Sequence, residues 1–520
     1  MSAVRDRLTR RSFLFSAGAA GLAASSGLAT PFYARGHGRP EFLHGVQSGD
    51  VDTRSGMIWT RVDRPALVSI EYSTTESFAD AVRLADVDAT PASDCALKCR
   101  LNDLLPDQDI FYRFTAADLY DGNRVSEPIV GRFRTAPLRR RSVRFAWSGD
   151  TAGQGWGIDE VGMKTYSTIS MHEPDFFIHS GDTIYADNPM PDEIRLRDGG
   201  LWKNRIVTPE KRDVARTLDE YRGQWKYNLL DAHVRGLNAA CPTFYQWDDH
   251  EVLNNWSAST NLSDDPRYPE KDIAVYASRA ARAFHEMTPI RSFPAQPGRI
   301  FRKIAYGPLL DVFFVDLRSY RGPNQGVGDG GLFGWRQADW LKRELAASSA
   351  TWKVIACDMP IGLVVWDDYA QKRGSDAIAN GDNGRPGGRE TEFADLLRFI
   401  RNRAIDNIVW LTADVHYTAA HHYDPSRAAF KDFLPFWEFV SGPLHSGTYG
   451  PKELDRTFGP EVRFIKATGG GIDSNLPPSA GLQFFGLVDI SGQTGEMTVR
   501  LMDRQDQELW WVTLQPAAVA

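Results

Sequence analysis

The sequence predicts an α/β protein in which a layered β-sandwich is flanked by helices and follows a small all-β domain. Three observations support this fold class. After about residue 142, apolar runs of strand length alternate with segments of helical periodicity. From about 38 to 137, shorter alternating runs are separated by turn residues. Four of the later apolar runs end in aspartate, and open α/β sheets bind their ligands at the carboxyl ends of strands.

The composition is that of a large globular protein. The 520 residues are 42% hydrophobic and carry a net charge of −7, so no basic face for nucleic acid is expected. The four cysteines provide neither a disulfide framework nor the paired Cys-x-x-Cys of a structural zinc site. Beyond the N-terminus, no stretch approaches the roughly 20 apolar residues of a membrane helix, so we expect no stable membrane anchor.

The first 34 residues have the pattern of an export signal. Several arginines precede an apolar, Ala- and Gly-rich stretch that is too short to span a membrane. Residues 10–14, Arg-Arg-Ser-Phe-Leu, are typical of twin-arginine signals and favour that class over an ordinary signal. We therefore predict a twin-arginine signal peptide at 1–34, the twin-arginine export machinery as a partner, and a periplasmic or extracellular location. Cleavage after Ala29 or Ala34 stays open.

The region 38–137 is predicted to be a small antiparallel sandwich of the immunoglobulin or fibronectin type. Its strands, such as 56–62, 66–72 and 109–114, alternate apolar and polar residues. It gathers no histidines or carboxylates at metal-like spacing, so we expect it to support or flank the larger domain. Residues 136–141 form the predicted linker.

The region 142–515 is predicted to be the catalytic domain. Thr217 and Glu220 have the spacing of a capping box at the start of a helix. The segment 371–389 is rich in Gly, Asp and Asn and is expected to be a mobile loop. The remaining elements are predicted strands at 143–147, 176–180, 244–247, 309–316, 352–357 and 408–412, helices at 158–171, 337–347 and 391–405, and a closing hairpin over 484–514.

Acidic residues and histidine follow four of these strands. Hydrolysis of a phosphate ester requires neutralised phosphoryl oxygens and a nucleophile, which two metals about 3.5–4 Å apart supply together. Oxygen-rich ligands with one or two imidazoles suit Fe, Mn, Zn or Ca better than copper. The candidate metal ligands are Asp150, Asp182, Tyr185, Asp249, Asp414 and His416.

These motifs resemble those of the PhoD-like alkaline phosphatases and phosphodiesterases. That family belongs to the metallophosphoesterase group, which includes the purple acid phosphatases. The resemblance spans nearly the whole chain after the signal. The matching stretches are 45–50 and 59–62 in the small domain, and 180–185, 247–251, 254–256, 316–321 and 413–416 in the large one.

The resemblance implies a role for each matching residue. Asp182 bridges two metals, and Tyr185 binds a ferric ion whose coordination Asp150 and His416 complete. Asp249 and Asp414 bind the second metal, with Asp248 left open as a further ligand. The catalytic residues are His250, as charge stabiliser or general acid, and Asp249. The implied cofactors are two or more ions, Fe(III) with Ca²⁺ or with Mn or Zn. The best-known relatives carry cysteine where this chain has Asp150, which leaves the metal identities open.

Several of these residues also have structural interpretations. An aspartate after a strand is more often a turn or cap residue, and for Asp150 the two interpretations weigh about equally. Asp187 and His179 are expected to be turn or packing groups. Asp316 and Arg318 are expected to form an ion pair or to support the ligands. Asn188 is grouped with the turn residues, and His421, His422 and His445 with surface or loop histidines.

The function predicted from these observations is that of an exported, alkaline phosphatase D-like phosphoesterase. It hydrolyses small-molecule phosphate monoesters, diesters or both by attack of a metal-bound hydroxide. One alternative is a phospholipase D-type phosphodiesterase on the same scaffold. Another is a non-catalytic exported protein that binds structural Ca²⁺, although Ca²⁺ sites rarely use tyrosine or histidine. A serine hydrolase is disfavoured because the chain has no Gly-x-Ser-x-Gly elbow.

Overall fold

The computed structural model describes residues 38–324, 331–469 and 474–517. The predicted signal peptide at 1–34 lies outside the described residues. Within them, no helix combines the length and the apolar character needed to cross a membrane.

The first hundred described residues form two antiparallel sheets. β1, β2 and β6 make a three-stranded sheet, and β3 pairs with β4, β5 and β7, which in turn pairs with β8. The strands are β1 (Val46–Gly49), β2 (Gly56–Arg61), β3 (Ala66–Ser73), β4 (Val82–Arg83), β5 (Val87–Ala89), β6 (Ala96–Leu101), β7 (Asp109–Asp118) and β8 (Ile129–Arg134).

The two small sheets share an apolar core, towards which β7 and most of β3 alternate buried and partly exposed residues. β7 buries Ile110, Tyr112 and Phe114 on one face, and these contact the same cluster as Ile58 of β2 and Ile70 of β3. Alternation with period two is the signature of a half-buried strand. The predicted all-β region is confirmed.

The rest of the chain alternates strands and helices. It contains β9 (Val143–Ser148), α1 (Lys164–Met171), β10 (Phe176–Ser180), β11 (Glu193–Arg195), β12 (Leu201–Lys203), α2 (Leu218–Asn228), α3 (Ala232–Ala240), β13 (Thr243–Gln246), α4 (Ile273–Met287), β14 (Arg302–Ala305), β15 (Leu310–Phe314), α5 (Gly334–Ala347), β16 (Trp352–Ala356), β17 (Leu363–Val364), β18 (Trp366–Asp368), β19 (Arg373–Ser375), α6 (Arg389–Asn402), β20 (Ile408–Thr412), β21 (Thr418–Tyr423), β22 (Phe436–Val440), β23 (Glu453–Leu454), β24 (Pro460–Lys466), β25 (Phe484–Ile490), β26 (Met497–Asp503) and β27 (Glu508–Leu514).

Two large mixed sheets form the centre of this region. The first has the order β13-β10-β9-β25-β26-β27, in which β13, β10 and β9 are parallel. The second has the order β14-β15-β16-β20-β22-β21-β24, in which β15, β16, β20 and β22 are parallel. Parallel neighbours align their carboxyl ends, so each sheet presents several strand ends along one edge.

The sheets form the inner layers and the helices the outer layers. Phe176 and Ile178 of β10 pack in the same cluster as Val354 of β16, between the sheets. The intervening Phe177 packs instead with residues of α1 to α4, and on the second sheet Ile355 packs with α5 and α6. The predicted α/β fold is therefore confirmed, with the layers arranged helix, sheet, sheet, helix.

One predicted helix is shorter than expected. Helical spacing predicted it over 158–171, but α1 begins only at Lys164. Gly162 has a φ of +70° and a Cβ there would lie 2.5 Å from Asp231 Oδ2, so the chain turns sharply at this point. Asp231 Oδ2 accepts a hydrogen bond from the Met163 N–H at 3.0 Å and fixes the turn.

A buried ion pair joins the small sheets to the large region. Asp50, which follows β1, lies 2.8 Å from Arg302 Nε of β14, and both side chains are 1% exposed. The Arg291 N–H also donates to Asp50 at 2.8 Å. Nearby, Gln47 Oε1 accepts a hydrogen bond from the Tyr245 hydroxyl at 2.8 Å. The motif at 45–50 thus has a structural role in holding the two regions together.

We expect Asp50→Ala to lower the free energy of unfolding by about 3–5 kcal/mol, because it leaves the Arg302 guanidinium buried without its counter-ion. Denaturant unfolding of the purified variant measures the change. Glu127→Ala is the matched control, because Glu127 pairs with Arg39 on the surface and is 82% exposed there. An equal loss in both variants would contradict the assignment.

Candidate metal centre

The predicted site residues follow the carboxyl ends of strands from both large sheets. Asp150 follows β9, Asp182 follows β10, Asp249 follows β13, and Asp414 follows β20 of the other sheet. The two sheets approach each other closely here, since a Cβ at Gly149 would lie 3.0 Å from Ala413 Cβ. The turns that carry the aspartates therefore meet at one point.

The backbone at these positions is unusual. Asp150, Asp182, Asp414 and His416 all have positive φ, between +50° and +68°. Residues with a Cβ adopt this left-handed conformation rarely, and such strain concentrates at functional sites. Hydrogen bonds between the turns hold the conformation, for example from the Thr151 N–H to the Asp182 carbonyl oxygen at 2.8 Å.

Glu251 joins two of the turns. Its carboxylate accepts hydrogen bonds from the backbone N–H groups of Asp182 at 3.0 Å, Thr183 at 2.7 Å and Asp248 at 2.8 Å. Glu251 belongs to the sequence motif 247–251, but its own role was not predicted, since capture of N–H groups from a distant loop leaves no local pattern.

The structure brings all six predicted ligands together. Ligand atoms lie within 4.8 Å of one another in three groups, and Asp182 and Asp249 each belong to two of them. The Tyr185 hydroxyl lies 3.0 Å from His416 Nε2 and 3.3 Å from Asp150 Oδ1. The groups are Asp150, Asp182 and His416; Asp182, Asp249 and His250; and Asp248, Asp249 and Asp414.

His416 presents one defined nitrogen to this cluster. Its Nδ1 lies 2.5 Å from the Gly447 carbonyl oxygen, which can only accept a hydrogen bond. Nδ1 therefore carries the proton, and Nε2 faces the carboxylates with a free lone pair. Burial lowers the pKa of His416 to about 3, so the ring is neutral near pH 7.

The carboxylates strongly disfavour one another's charge. Burial raises the pKa of Asp182 well above its ordinary value, and the charges of Asp249 and Asp248 raise it further. Burial likewise raises the pKa of Asp150 and Asp414. Asp150 Oδ2 is buried and has no hydrogen-bond partner among the described residues. A cation at this point would satisfy that oxygen and reverse the repulsion.

Arg318 offsets the negative charge of only part of the cluster, the part next to Asp248. It is fully buried, contacts Asp248 through Nε, and places Nη1 2.8 Å from Asp376 Oδ2. Its Nη2 lies farther away, 3.7 Å from Asp414 and 3.9 Å from Asp249. Of the two roles expected for Asp316 and Arg318, the ion pair is wrong, because Asp316 Oδ1 accepts from the backbone N–H of Arg318 instead. Arg318 supports the ligands through its contact with Asp248.

Asp376 lies in the segment 371–389, which was expected to be a mobile loop. That segment contains β19, and Asp376 is buried against Arg318 and Arg321. The sequence pattern of Gly, Asp and Asn gave no sign of this pairing, because the two arginines lie far back in the chain.

Asp187 is not the simple turn residue that was expected. Its Oδ1 lies 2.6 Å from His250 Nδ1, and its Oδ2 accepts a hydrogen bond from the Asn254 N–H at 2.9 Å. Although burial acts to lower it, the charges of Asp187 and Asp249 raise the pKa of His250 to about 10. The His250 ring also stacks on Tyr185 with centroids 4.1 Å apart, which fixes its orientation.

The other predicted histidines lie outside the three groups found among the described residues. His179 is buried and bonded to Thr151 and Thr183, as expected for a packing group. His421 is buried on β21 and pairs with Glu438, so the expectation of a surface or loop histidine is wrong there. His445 follows β22 in a loop and contacts the Gly157 carbonyl oxygen.

A pocket of about 260 Å³ opens onto the cluster. Asp182, Asp249, His250, Asp414 and His416 line its floor. Its outer walls include Asn254, Trp366, Tyr369, Tyr449 and Lys452. A small anionic ligand in this pocket would meet both the carboxylate cluster and His250.

The chain is similar to known phosphatases over most of its length. The family model described as PhoD-like phosphatase matches residues 145–501, and that of the PhoD-like phosphatase N-terminal domain matches 27–137. The alkaline phosphatase D of Bacillus subtilis is 28% identical over 444 residues, which are 79% of this chain and 70% of the relative.

Two solved structures share the fold. The structure of PhoD superimposes with a TM-score of 0.67 at 21% identity, over 92% of this chain and 90% of the other. The purple acid phosphatase PPD1 from yellow lupin (Lupinus luteus) superimposes with a TM-score of 0.55 at 12% identity, over 92% and 74% of the two chains. Since the catalytic family model covers more than half of the sequence, the chain belongs to the PhoD-like phosphatase family.

Proposed function

We propose that this protein is an exported, metal-dependent phosphoesterase that hydrolyses phosphate monoesters, diesters or both in the pocket above Asp182. Membership of the PhoD-like family makes it a phosphoric ester hydrolase. The observation that carries the finer proposal is the overlap of three groups of ligand atoms around Asp182 and Asp249, on the floor of an open pocket.

The donor set fits a pair of hard cations. Asp150, Tyr185 and His416 would hold one ion, and Asp249 and Asp414 the other, with Asp182 between them. The buried, unpartnered Oδ2 of Asp150 supports this arrangement. When bound, the ions would neutralise phosphoryl oxygens and lower the pKa of the attacking water. We propose Fe(III) with Ca²⁺, or with Mn or Zn, because oxygen donors dominate.

His250 is the proposed general acid. It lines the pocket, and its contact with Asp187 through Nδ1 leaves Nε2 as the ring nitrogen available to the leaving oxygen. The Asp187 carboxylate stabilises the imidazolium and holds the ring plane. Asp249 belongs to two of the three ligand groups, and its Oδ1 accepts a hydrogen bond from the backbone N–H of His250 at 2.9 Å; its place in both groups supports its assignment to the catalytic centre.

The proposal includes export through the twin-arginine route, which the arginine pair at 10–11 supports. It also includes a division into a sandwich at 38–137 and a catalytic domain at 142–515. The structural-Ca²⁺ alternative is disfavoured by the phosphatase family membership and by the tyrosine and histidine in the donor set.

We expect the purified protein to hold about two metal ions per chain and to release phosphate from an aryl phosphate, a bis-aryl diester or both. Asp182→Asn should lose most of the bound metal and reduce kcat by about a thousandfold or more, because Asp182 belongs to two of the three ligand groups and would be needed to hold both ions. Elemental analysis and initial rates measure the two effects, and phosphatidylcholine in the same panel tests the phospholipase alternative.

Asp192→Asn is the control for that variant, because Asp192 is 65% exposed and pairs with Arg212 on the surface. It should retain both metal and activity. Full activity of Asp182→Asn, or of protein stripped of metal, would remove the basis of the proposal.

We expect Asp187→Asn to reduce kcat by about 10- to 100-fold while metal content stays unchanged, because a neutral amide cannot stabilise the His250 imidazolium. Combining it with His250→Gln should give no further loss, since both changes remove the same proton donor. Rates of the two single variants and the double variant measure this coupling. If the kcat of the double variant falls by the product of the two single losses, Asp187 does not act through His250.

Metal-free protein should become less stable between pH 7 and pH 9. Burial raises the pKa of Asp150, Asp182 and Asp414, so the folded state binds more protons than the unfolded state, and stability falls as pH rises through the raised pKa values. The pKa of His250, raised to about 10, acts in the same direction and places this loss between pH 7 and pH 9, whereas Asp249, whose pKa is lowered, is ionised in both states throughout that range.

Bound cations should reverse this trend by replacing the protons. The difference in Tm between metal-loaded and chelated protein is therefore expected to widen from pH 7 to pH 9. Thermal unfolding of both forms across that range measures it, and a gap that narrows with pH would contradict the assignment of the ligands.

A further inference from the structure

Lys452 stands at the wall of the catalytic pocket without a carboxylate partner. Its Nζ lies 2.6 Å from the hydroxyl oxygen of Tyr369, 4.7 Å from the Tyr369 ring centroid and 5.6 Å from that of Tyr449. Among the described residues, no carboxylate lies within ion-pair distance of this ammonium. It is also the one lysine or arginine among the described residues that line the pocket.

The fold holds Lys452 in this position. β17 and β23 pair, with Val364 opposite Glu453, so the segment that begins with Val365 runs beside Lys452. β18 and β19 then bring Tyr369 over the ammonium. The backbone N–H of Lys452 also donates a hydrogen bond to the Tyr417 hydroxyl at 3.2 Å. An ammonium fixed between two aromatic rings gives up less side-chain entropy when it binds a ligand.

The partners of Lys452 leave part of its binding capacity unused. An ammonium has three donors, and the side-chain hydrogen bond that Lys452 makes within the described residues goes to a neutral phenol, that of Tyr369. Burial lowers the pKa of Lys452, while the charge of Asp414 acts to raise it. A cation in this setting is stabilised by an anion from outside the protein more than by its present neighbours.

We propose that Lys452 binds a second anionic group of the substrate, so that the enzyme prefers phosphate esters bearing a further carboxylate, sulfonate or phosphate beyond the scissile group. This inference rests on the proposed function of the pocket. The side-chain groups around Asp182 would place the scissile phosphate, and the Lys452 ammonium binds the distal anionic group. Tyr369, Tyr449 and Trp366 supply aromatic surface for the part of the ester between the two anions.

The test compares two phosphate monoesters that differ in one charge. They are 4-carboxyphenyl phosphate and the same compound with its carboxylate, not its phosphate, methylated. The measured quantity is kcat/KM for the carboxylate ester divided by kcat/KM for the methyl ester, determined in each enzyme variant. Because the same two esters are used throughout, their different leaving-group reactivities cancel when the variants are compared. In Lys452→Gln the ratio should fall about tenfold, mainly through the KM of the carboxylate ester, because one charge-assisted hydrogen bond is lost. Lys452→Arg should restore most of the preference.

Lys372→Gln is the matched control. Lys372 lies on the neighbouring hairpin, is 59% exposed and pairs with Glu453 at 2.7 Å, outside the pocket. Its ratio should equal that of the wild type. A ratio in Lys452→Gln within twofold of the wild type would overturn the inference, and so would an equal fall in Lys372→Gln.

A binding measurement separates this inference from the proposed function. Methylenediphosphonate carries a second anion that methylphosphonate lacks, and calorimetry on metal-loaded protein gives both affinities without turnover. Lys452→Gln should weaken methylenediphosphonate about tenfold more than methylphosphonate. If the wild type turns over neither these monoesters nor the bis-aryl diester, the proposed function alone is refuted. Equal weakening of the two phosphonates would refute the role of Lys452 alone.

Discussion

Repulsion between buried carboxylates is the constraint on which this structure depends. Five aspartates share one small volume. Four of them are buried, and the side chain of the fifth, Asp414, is 12% exposed. The buried four are Asp150, Asp182, Asp248 and Asp249. Charges out of water are tolerated only when they are paired. Arg318 pairs with the inner members, Asp248 foremost, but its Nη2 stays 3.7 Å from Asp414. The negative charge that Arg318 leaves uncompensated faces the pocket, through which cations can enter.

The scaffold around the cluster serves to hold these groups against that repulsion. Packed sheets fix the strand ends, the left-handed turns aim the side chains, and the Glu251 carboxylate joins the turns at Asp182 and Asp248 through their N–H groups. The same preorganisation explains the His250 ring, which Asp187 and Tyr185 hold from two sides. Rigid placement of this kind is what an active site needs, because binding then costs little reorganisation.

Local sequence patterns predicted much of the fold. Apolar runs located the core strands, and the capping box at Thr217 and Glu220 is formed as its spacing predicted. The same patterns predicted fewer of the residues that contact and position the ligands. Asp187, Arg318 and Asp376 act through partners distant in the chain, so their roles depend on the sheet order and not on neighbouring residues. The predicted helix at 158–171 was too long because periodicity ignores the turn at Gly162.

The division of the cluster between two sheets has a consequence for the order of events in folding. β9, β10 and β13 belong to one sheet and β20 to the other, so neither sheet by itself contains the full set of ligand atoms. A partly folded chain with only one sheet formed would therefore offer incoming ions an incomplete and weak coordination shell. Selection among competing metals is deferred to a nearly native molecule, whose cavity dimensions are already set.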